Sequence, residues 1–463
     1  MQPGNQNSID VAKFSDIFII MQIQPGQFTT NILSTLPQKA DVQRILASAI
    51  QAVEPATSVQ NYVLRQGNIL TIEGQKYDLS SFENIYLIAI GKASQAMSES
   101  LANILGKNLS QAFVVPKQLF FNADKRFHII AGGHPVPNDN SELAGQMLEK
   151  ACKTITERDL VFCLISGGGS ALVTLPYEGI QLKDLQTLTG LLLASGARID
   201  EINTLRRHLD RIKGGGLAKM AFPARVISLI LSDVVNSPLE AIASGPTVAD
   251  PTSIEDATFV LQKYDLISKA PDPILKHLGL GLETVKPKDP ILEKIQNVLV
   301  ADNYLASQAS GKEAEKTGLK VHYLGNGWQG EARKVAVKLC NLLKANPDRH
   351  ICMIAGGETT VTITGQGRGG RNQEMALAAV SELAGMQDVL FITLATDGED
   401  GPTDAAGAVV SGDTWQMAHS AELNPNEFLN QNDAYNFFDR LGDLIKIGPT
   451  GTNVNDLTFL FRF

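Results

Sequence analysis

The chain repeatedly carries an unbroken apolar stretch into a turn of small or charged residues. The stretches are NIYLIAIG, DLVFCLIS, ARVISLILSD, QNVLVAD, HICMIAGGE and VLFITLATDG. A strand with one face in water alternates apolar and polar side chains, whereas an unbroken apolar run needs both faces buried. Amphipathic segments such as KASQAMSESLANIL and NYLASQASGKEAEKTG follow. Buried strand, tight turn and amphipathic helix, repeated, predict an α/β fold with parallel strands between helix layers. The final residues, LTFLFRF, read as an edge or closing strand.

A chain of 463 residues is too long for one ordinary core, so two or three domains are expected. The segment ISKAPDPILKHLGLGLETVKPKDP, 267–290, is rich in Pro, Lys and Asp and marks the candidate boundary. The expected division is an N-terminal arm of uncertain order at 1–38, a larger Rossmann-like domain at 39–285 and a smaller α/β domain at 286–463. The net charge of −9 argues against a nucleic-acid partner, which needs a basic face, but not against a nucleotide. Cysteines 152, 163, 340 and 352 stand singly in apolar contexts, as buried thiols of a reducing compartment would. The only early apolar run, FIIM, is too short for a membrane span, and no secretory signal is visible. A cytoplasmic protein, with a homodimer as one state to test, is the expectation.

In open α/β sheets, ligands lie beyond the carboxyl ends of the strands. Those ends carry Gly91, Lys92 and Ser94; Ser166, Gly167, Gly168, Gly169 and Ser170; Asp233; Gly357 and Glu358; and Asp397. Three successive glycines let several N–H groups converge on an anion, though they also suit a plain turn. Lys92 and, later, Arg368 and Arg371 stand at predicted helix starts, where the helix dipole disfavours a cation by about 0.3–1 kcal/mol. A cation there is explained if an anion shares the site. The bland alternative is a side chain snorkelling into water.

GQGRGGRNQE, 365–374, contains a formal G-x-G-x-x-G at Gly365, Gly367 and Gly370. A dinucleotide fingerprint should follow a buried strand and be answered by an acid at the next strand end. This one follows TTVTIT, which alternates like a hairpin strand, and Asp388 precedes the next strand. The segment reads instead as an anion clamp, with Arg371 or Arg368 able to grip phosphate or carboxylate and Asn372 beside them. No Walker A motif occurs. Asp397 and Asp400, in the loop TDGEDGPTD, suit Mg²⁺ held partly by phosphate oxygens, or simply form a solvated acidic loop. Asp233 can take a proton from a substrate hydroxyl, or cap a helix. His134, in GGHPVPN, and His208 are each more simply structural. Arg206, Arg207, Arg211 and Lys213 make either a solvated basic face or, if turned inward, part of an anion pocket. Cations at helix starts, glycine turns and carboxylates together suit phosphoryl transfer, which is mostly positioning and charge neutralisation.

IGKAS at 90–94, GGHPVPN at 132–138, LISGGGSAL at 164–172, INTLRRHLDRIKGGGLA at 202–218 and ASGPTVADP at 243–251 resemble the glycerate 2-kinase family. So do GGETTVTITGQGRGGRNQEMALA at 356–378, ATDGEDGPTDAAGAVV at 395–410 and GPTGTNVNDL at 448–457. The resemblance runs from about residue 40 to the C-terminus, with a MOFRL-type core at about 350–458. It implies phosphorylation of D-glycerate to 2-phosphoglycerate with ATP and Mg²⁺, in a cleft between the two domains. It also implies Lys92 and Arg371 as catalytic cations and Ser166–Ser170 as a phosphate loop. Asp233 is the candidate for orienting the substrate hydroxyl, with Asp397 and Asp400 for metal. Gly91, Ser94, His134, Arg207, Gly357, Glu358, Arg368, Gly370 and Asn372 complete the expected binding set. Where relatives carry a Gly-Asp-Asp-like stretch after SDV, this chain reads VNSPLE, which isolates Asp233. HLD replaces the common HLS, and GGGLA departs from the usual pattern at its third glycine. A hydroxypyruvate reductase and a non-catalytic sugar-acid or nucleotide binder are the competing readings.

Overall fold

The computed structural model describes residues 23–463. Three sheets organise them. A small antiparallel meander comprises β1 (Val63–Gln66), β2 (Ile69–Ile72) and β3 (Gln75–Asp78). The second sheet comprises β4 (Ile85–Ile90), β5 (Gln111–Val115), β6 (Phe127–Ile129), β7 (Leu160–Ile165), β8 (Arg225–Leu231) and β9 (Ile295–Ala301). Its order is β6-β5-β4-β7-β8-β9, and every pairing is parallel. The third comprises β10 (Lys320–Tyr323), β11 (Trp328–Glu331), β12 (Ile351–Thr360), β13 (Val389–Ala395), β14 (Gly407–Ser411), β15 (Leu444–Ile445) and β16 (Asp456–Arg462). Its order is β10-β12-β16-β13-β14-β15, with β11 also beside β12.

The unbroken apolar runs are buried on both faces, and alternate residues enter different cores. Leu160, Phe162 and Leu164 of β7 point into the core shared by both large sheets, while Val161, Cys163 and Ile165 point into the outer layer. In β12, Cys352 and Ile354 join the shared core, and Ile351, Met353 and Ala355 join the layer beyond. All four cysteines are buried free thiols, and burial pushes Cys152 up to about 12.

The structure differs from the sequence reading in four places. LTFLFRF is no edge: β16 lies between β12 and β13, antiparallel to both. Leu457, Phe459 and Phe461 face one core and Leu460 the other, so the run demands two covered faces. β9 lies beyond the expected boundary at 285/286 yet pairs with β8, so the parallel sheet continues past it. TTVTIT is strand only at its first two residues, and 361–370 is an irregular loop. The arm expected at 1–38 is built into the fold from residue 23; the rest, including FIIM, lies outside the described residues. Phe28 and Leu33 are fully buried, and Ile32 N–H donates to Asp443 Oδ1 at 2.8 Å. Asn31 N–H also donates to the Gly442 carbonyl at 3.0 Å. Among the described residues no helix is long and apolar enough to cross a membrane.

Asp443 makes this docking sensitive to pH. Burial pushes its carboxyl up to about 6. A folded-state value above the unfolded one means that ionisation opposes folding, so stability is lost as pH rises through about 6. Asp443→Asn, which keeps an acceptor for Ile32, should flatten the dependence of thermal midpoint on pH between about 4 and 7.

Candidate active site

Lys92 lies in the turn between β4 and the helix Ser94–Leu105, just outside the helix start where it was expected. The turn is locked to the glycine loop. Lys92 N–H donates to the Gly167 carbonyl at 2.9 Å, and Ala93 N–H to Ser166 Oγ at 3.0 Å. Gly91 has φ +125°, and a Cβ there would stand 2.2 Å from Ser166 Oγ, so only glycine lets the two strand ends meet. Ser94 is fully buried at the helix start.

The glycine loop is shaped by its neighbours. Gly168 has φ +81° and begins the short helix Gly169–Leu172. A Cβ on Gly168 would lie 3.2 Å from His134 Nε2 and 3.3 Å from Lys92 Cε, so both side chains close over this residue. A Cβ on Gly167 would lie 1.8 Å from Asp233 Oδ2. The Asp233 carboxylate therefore presses directly on the loop. Ser170 Oγ is 2.6 Å from Ser244 Oγ. Burial pushes Asp233 up, opposed by Lys92, and burial plus Lys92 and Lys117 pushes His134 down toward neutral imidazole. Gly167→Ala should displace Asp233 by about an ångström and lower kcat by about 100-fold with little loss of fold, read by steady-state kinetics beside a melting curve.

The facing wall comes from the third sheet. A cleft of about 410 Å³ is lined by Lys92, Lys117, Ser166, Gly167 and Asp233 on one side and by Asp397, Glu399 and Asn453 on the other. Arg371 opens the helix Arg371–Leu383 beside this wall. Its Nε donates to Asp456 Oδ2 at 2.5 Å and its Nη2 to Asp456 Oδ1 at 3.0 Å, while Nη1 is 3.1 Å from Glu358 Oε1. Burial pushes Glu358 up, Arg371 opposes, and Asp456, Asp233 and Asp397 raise it further. Asp397 is likewise raised, chiefly by burial. Two cations and several crowded carboxylates thus converge from the two sheets.

Other expected residues have structural employment. Asp400 accepts from Asn372 N–H at 3.1 Å and Gln373 N–H at 2.8 Å, and so caps the helix that Arg371 begins. Burial, with Asp456 nearby, pushes its carboxyl up to about 7. Gly370 leaves room for that cap, since a Cβ there would stand 2.3 Å from Asp400 Cγ. Asn372 is buried beside it. Gly357 lets Trp328 of β11 approach, its Cβ position being 2.1 Å from the Trp328 carbonyl oxygen. Arg368 stacks on the Tyr435 ring at 4.1 Å, away from Arg371. Arg207 is buried against Asp250 at 2.8 Å. Gly365 N–H donates to Asn432 Oδ1 at 2.9 Å, Gly367 N–H to the Gln431 carbonyl at 2.8 Å and Arg368 N–H to Asp433 Oδ1 at 2.8 Å. The apparent fingerprint spends these amides on its own chain. Among the described residues no group of three His, Cys, Asp or Glu side chains is set to hold a metal.

Asp456 was not singled out from the sequence. Its signal was an acid heading an otherwise apolar strand, in NDLTFLF. Lys117 and Asn453 were also missed, because their loops approach the cleft only through the tertiary fold.

A family model described as a domain of unknown function, DUF4147, matches residues 41–279, and the MOFRL family model matches 351–456. The glycerate 2-kinase of Pyrococcus horikoshii is 38% identical over 89% of this chain and 95% of its own length. The chain belongs to the glycerate 2-kinase family with a MOFRL C-terminal region. Another member, the D-glycerate 2-kinase of Thermotoga maritima, is 37% identical over 81% of this chain and 90% of its own. The human glycerate kinase is 33% identical over 93% and 94%. A crystal structure of Thermotoga maritima glycerate kinase matches with a TM-score of 0.82 at 34% identity, covering 91% of this chain and 98% of that one. In this glycerate 2-kinase family member, the cleft of Lys92, Asp233 and Asp397 joins the family's two regions.

Proposed function

We propose that this protein transfers the γ-phosphoryl group of ATP to the 2-hydroxyl of D-glycerate, giving 2-phosphoglycerate and ADP. The observation that carries this reading is the locked assembly of Lys92, the 166–170 glycine loop and Asp233, with Arg371 held across the cleft. Lys92 and Arg371 offset the charge of the transferring group, which is the main task of a phosphotransferase. The substrate O2 bonds to the γ-phosphorus as the bond to the β–γ bridging oxygen breaks. The O2 proton passes to Asp233, whose half-buried carboxylate, raised by desolvation, is a better base than an exposed one.

Asp233, Asp397 and Glu399 line the same cleft, a set of carboxylates that suits a Mg²⁺ carried in with ATP and held largely by phosphate oxygens. Asp397 would hold it, leaving Asp233 to take the substrate proton, and it would supply charge neutralisation on phosphate oxygens. Asp400 is committed to its helix cap and has no part in this set. Against a reductase, the G-x-G-x-x-G amides are engaged by Asn432, Gln431 and Asp433.

The test is ³¹P NMR of the protein with ATP, Mg²⁺ and D-glycerate. A 2-phosphoglycerate resonance with stoichiometric ADP supports the reading. No phosphorylated product, with ADP at background, rejects it.

A further inference from the structure

Four neighbouring strands of the parallel sheet, in the order β5-β4-β7-β8, run out into the cleft. Each carries a different group at its carboxyl end. β5 leads into Pro116 and Lys117, β4 into Gly91 and Lys92, β7 into Ser166 and the glycine loop, and β8 into Ser232 and Asp233. Neighbouring strands lie about 4.8 Å apart, so these groups stand in a row. Backbone bonds hold the Lys117 end of the row in place. Gly91 N–H donates to the Val115 carbonyl at 3.2 Å, and Gly132 N–H to the Pro116 carbonyl at 3.1 Å. Lys117 is thereby anchored between the turn that carries Lys92 and the turn that carries His134.

Lys92 and Lys117 line one cleft of about 410 Å³ with Asp233, and Asp397 and Glu399 line its opposite wall. Even so, neither lysine side chain has an ion pair or hydrogen bond among the described residues. Arg371 differs, being held by Asp456 and Glu358. His134 feels both lysines, whose charges add to burial in pushing its imidazole down. Two ammonium groups set side by side repel each other, and an anion that spans them removes that cost. The single carboxylate of a hydroxy acid carries one charge. A polyphosphate carries several, spread along a line, and lysine suits phosphate as a compact point charge.

We infer that Lys117 holds the phosphates of the nucleotide that are not transferred, so that the polyphosphate runs along the strand ends from Lys117 toward Lys92. This rests on the kinase reading above and adds to it the orientation of the two substrates. The donor enters over β5, the transferred group lies at Lys92 and the glycine loop, and the acceptor hydroxyl waits over β8 at Asp233. The facing carboxylates, Asp397 and Glu399, leave the lysine side of the cleft to the phosphate oxygens.

The test compares wild type, Lys117→Ala and Lys117→Arg. Titration calorimetry measures binding of ADP with Mg²⁺ and of inorganic tripolyphosphate, beside steady-state kinetics in ATP and D-glycerate and a melting curve. Lys117→Ala is expected to weaken both ligands by about 30-fold and to raise KM for ATP by a similar factor. KM for D-glycerate should stay within about threefold, and Lys117→Arg, which keeps the charge, should recover most of the affinity. Lys117 is exposed, so the melting midpoint should hold. An ADP affinity unchanged in Lys117→Ala overturns the assignment. So does a rise confined to KM for D-glycerate, which would put the acceptor carboxylate on Lys117 instead. A wild type that binds ADP but phosphorylates no D-glycerate rejects the kinase reading alone. The ratio of ADP affinities between wild type and Lys117→Ala then still decides whether Lys117 holds phosphate.

Discussion

Lys92→Ala is expected to lower kcat for D-glycerate phosphorylation by about 10³-fold, the scale of removing a cation from a transferring phosphoryl group. The fold should survive, because Lys92 is exposed and the turn is held through its backbone N–H, which alanine retains. The effect should fall on kcat more than on KM, since the charge being offset grows toward the transition state. A second signature follows from Asp233. Lys92 opposes the burial that raises this carboxyl, so its removal leaves burial unopposed. The acid limb of the pH–rate profile should therefore move to higher pH in Lys92→Ala and stay in place in Lys92→Arg. A Lys92→Ala variant within about tenfold of wild type would remove Lys92 from the chemistry.

The second large effect is on stability. Arg207→Ala is expected to destabilise the protein by about 3–5 kcal/mol, because it leaves Asp250 buried without its partner. Arg207 and Asp250 are 5% and 0% exposed as side chains, with Arg207 Nε 2.8 Å from Asp250 Oδ1. Asp250 also accepts from Thr252 N–H at 2.9 Å and Thr284 Oγ1 at 3.0 Å, so it ties the segments at 250–252 and 284 to the helix Ile199–Leu209. Chemical denaturation followed by far-UV circular dichroism measures the loss. Replacing both partners by apolar residues of similar volume should recover much of it. An arginine that instead gripped substrate would raise KM and leave the denaturation midpoint in place.

The two arginines show how far local sequence reaches. NTLRRHLDRIK reveals a helix with adjacent cations, but adjacent residues on a helix point about 100° apart. Which of them meets a carboxylate depends on Asp250, brought in from a later loop. Arg371 and Arg368 divide in the same way. Both stand near one glycine-rich helix start, yet Asp456 and Glu358 hold the first while Tyr435 takes the second. Asp400 sits in an acidic loop that suits a metal by composition, and the tertiary fold spends it on the helix 371–383.

What the chain alone settled was the set of elements that are physically local. Unbroken apolar runs required strands covered on both faces, and glycines at the ends of β4 and β7 permitted close approach of backbone. Lys92 beside such a turn allowed two readings, a cation sharing an anion site and a side chain reaching into water. Tertiary structure decided the rest, because charge pairing and strand order join residues far apart in the chain. It put β16 in the middle of its sheet, since a two-faced apolar strand gains most between two neighbours. It placed Asp397 and Asn453 opposite Lys92, across a cleft that exists only once the two large sheets share a core.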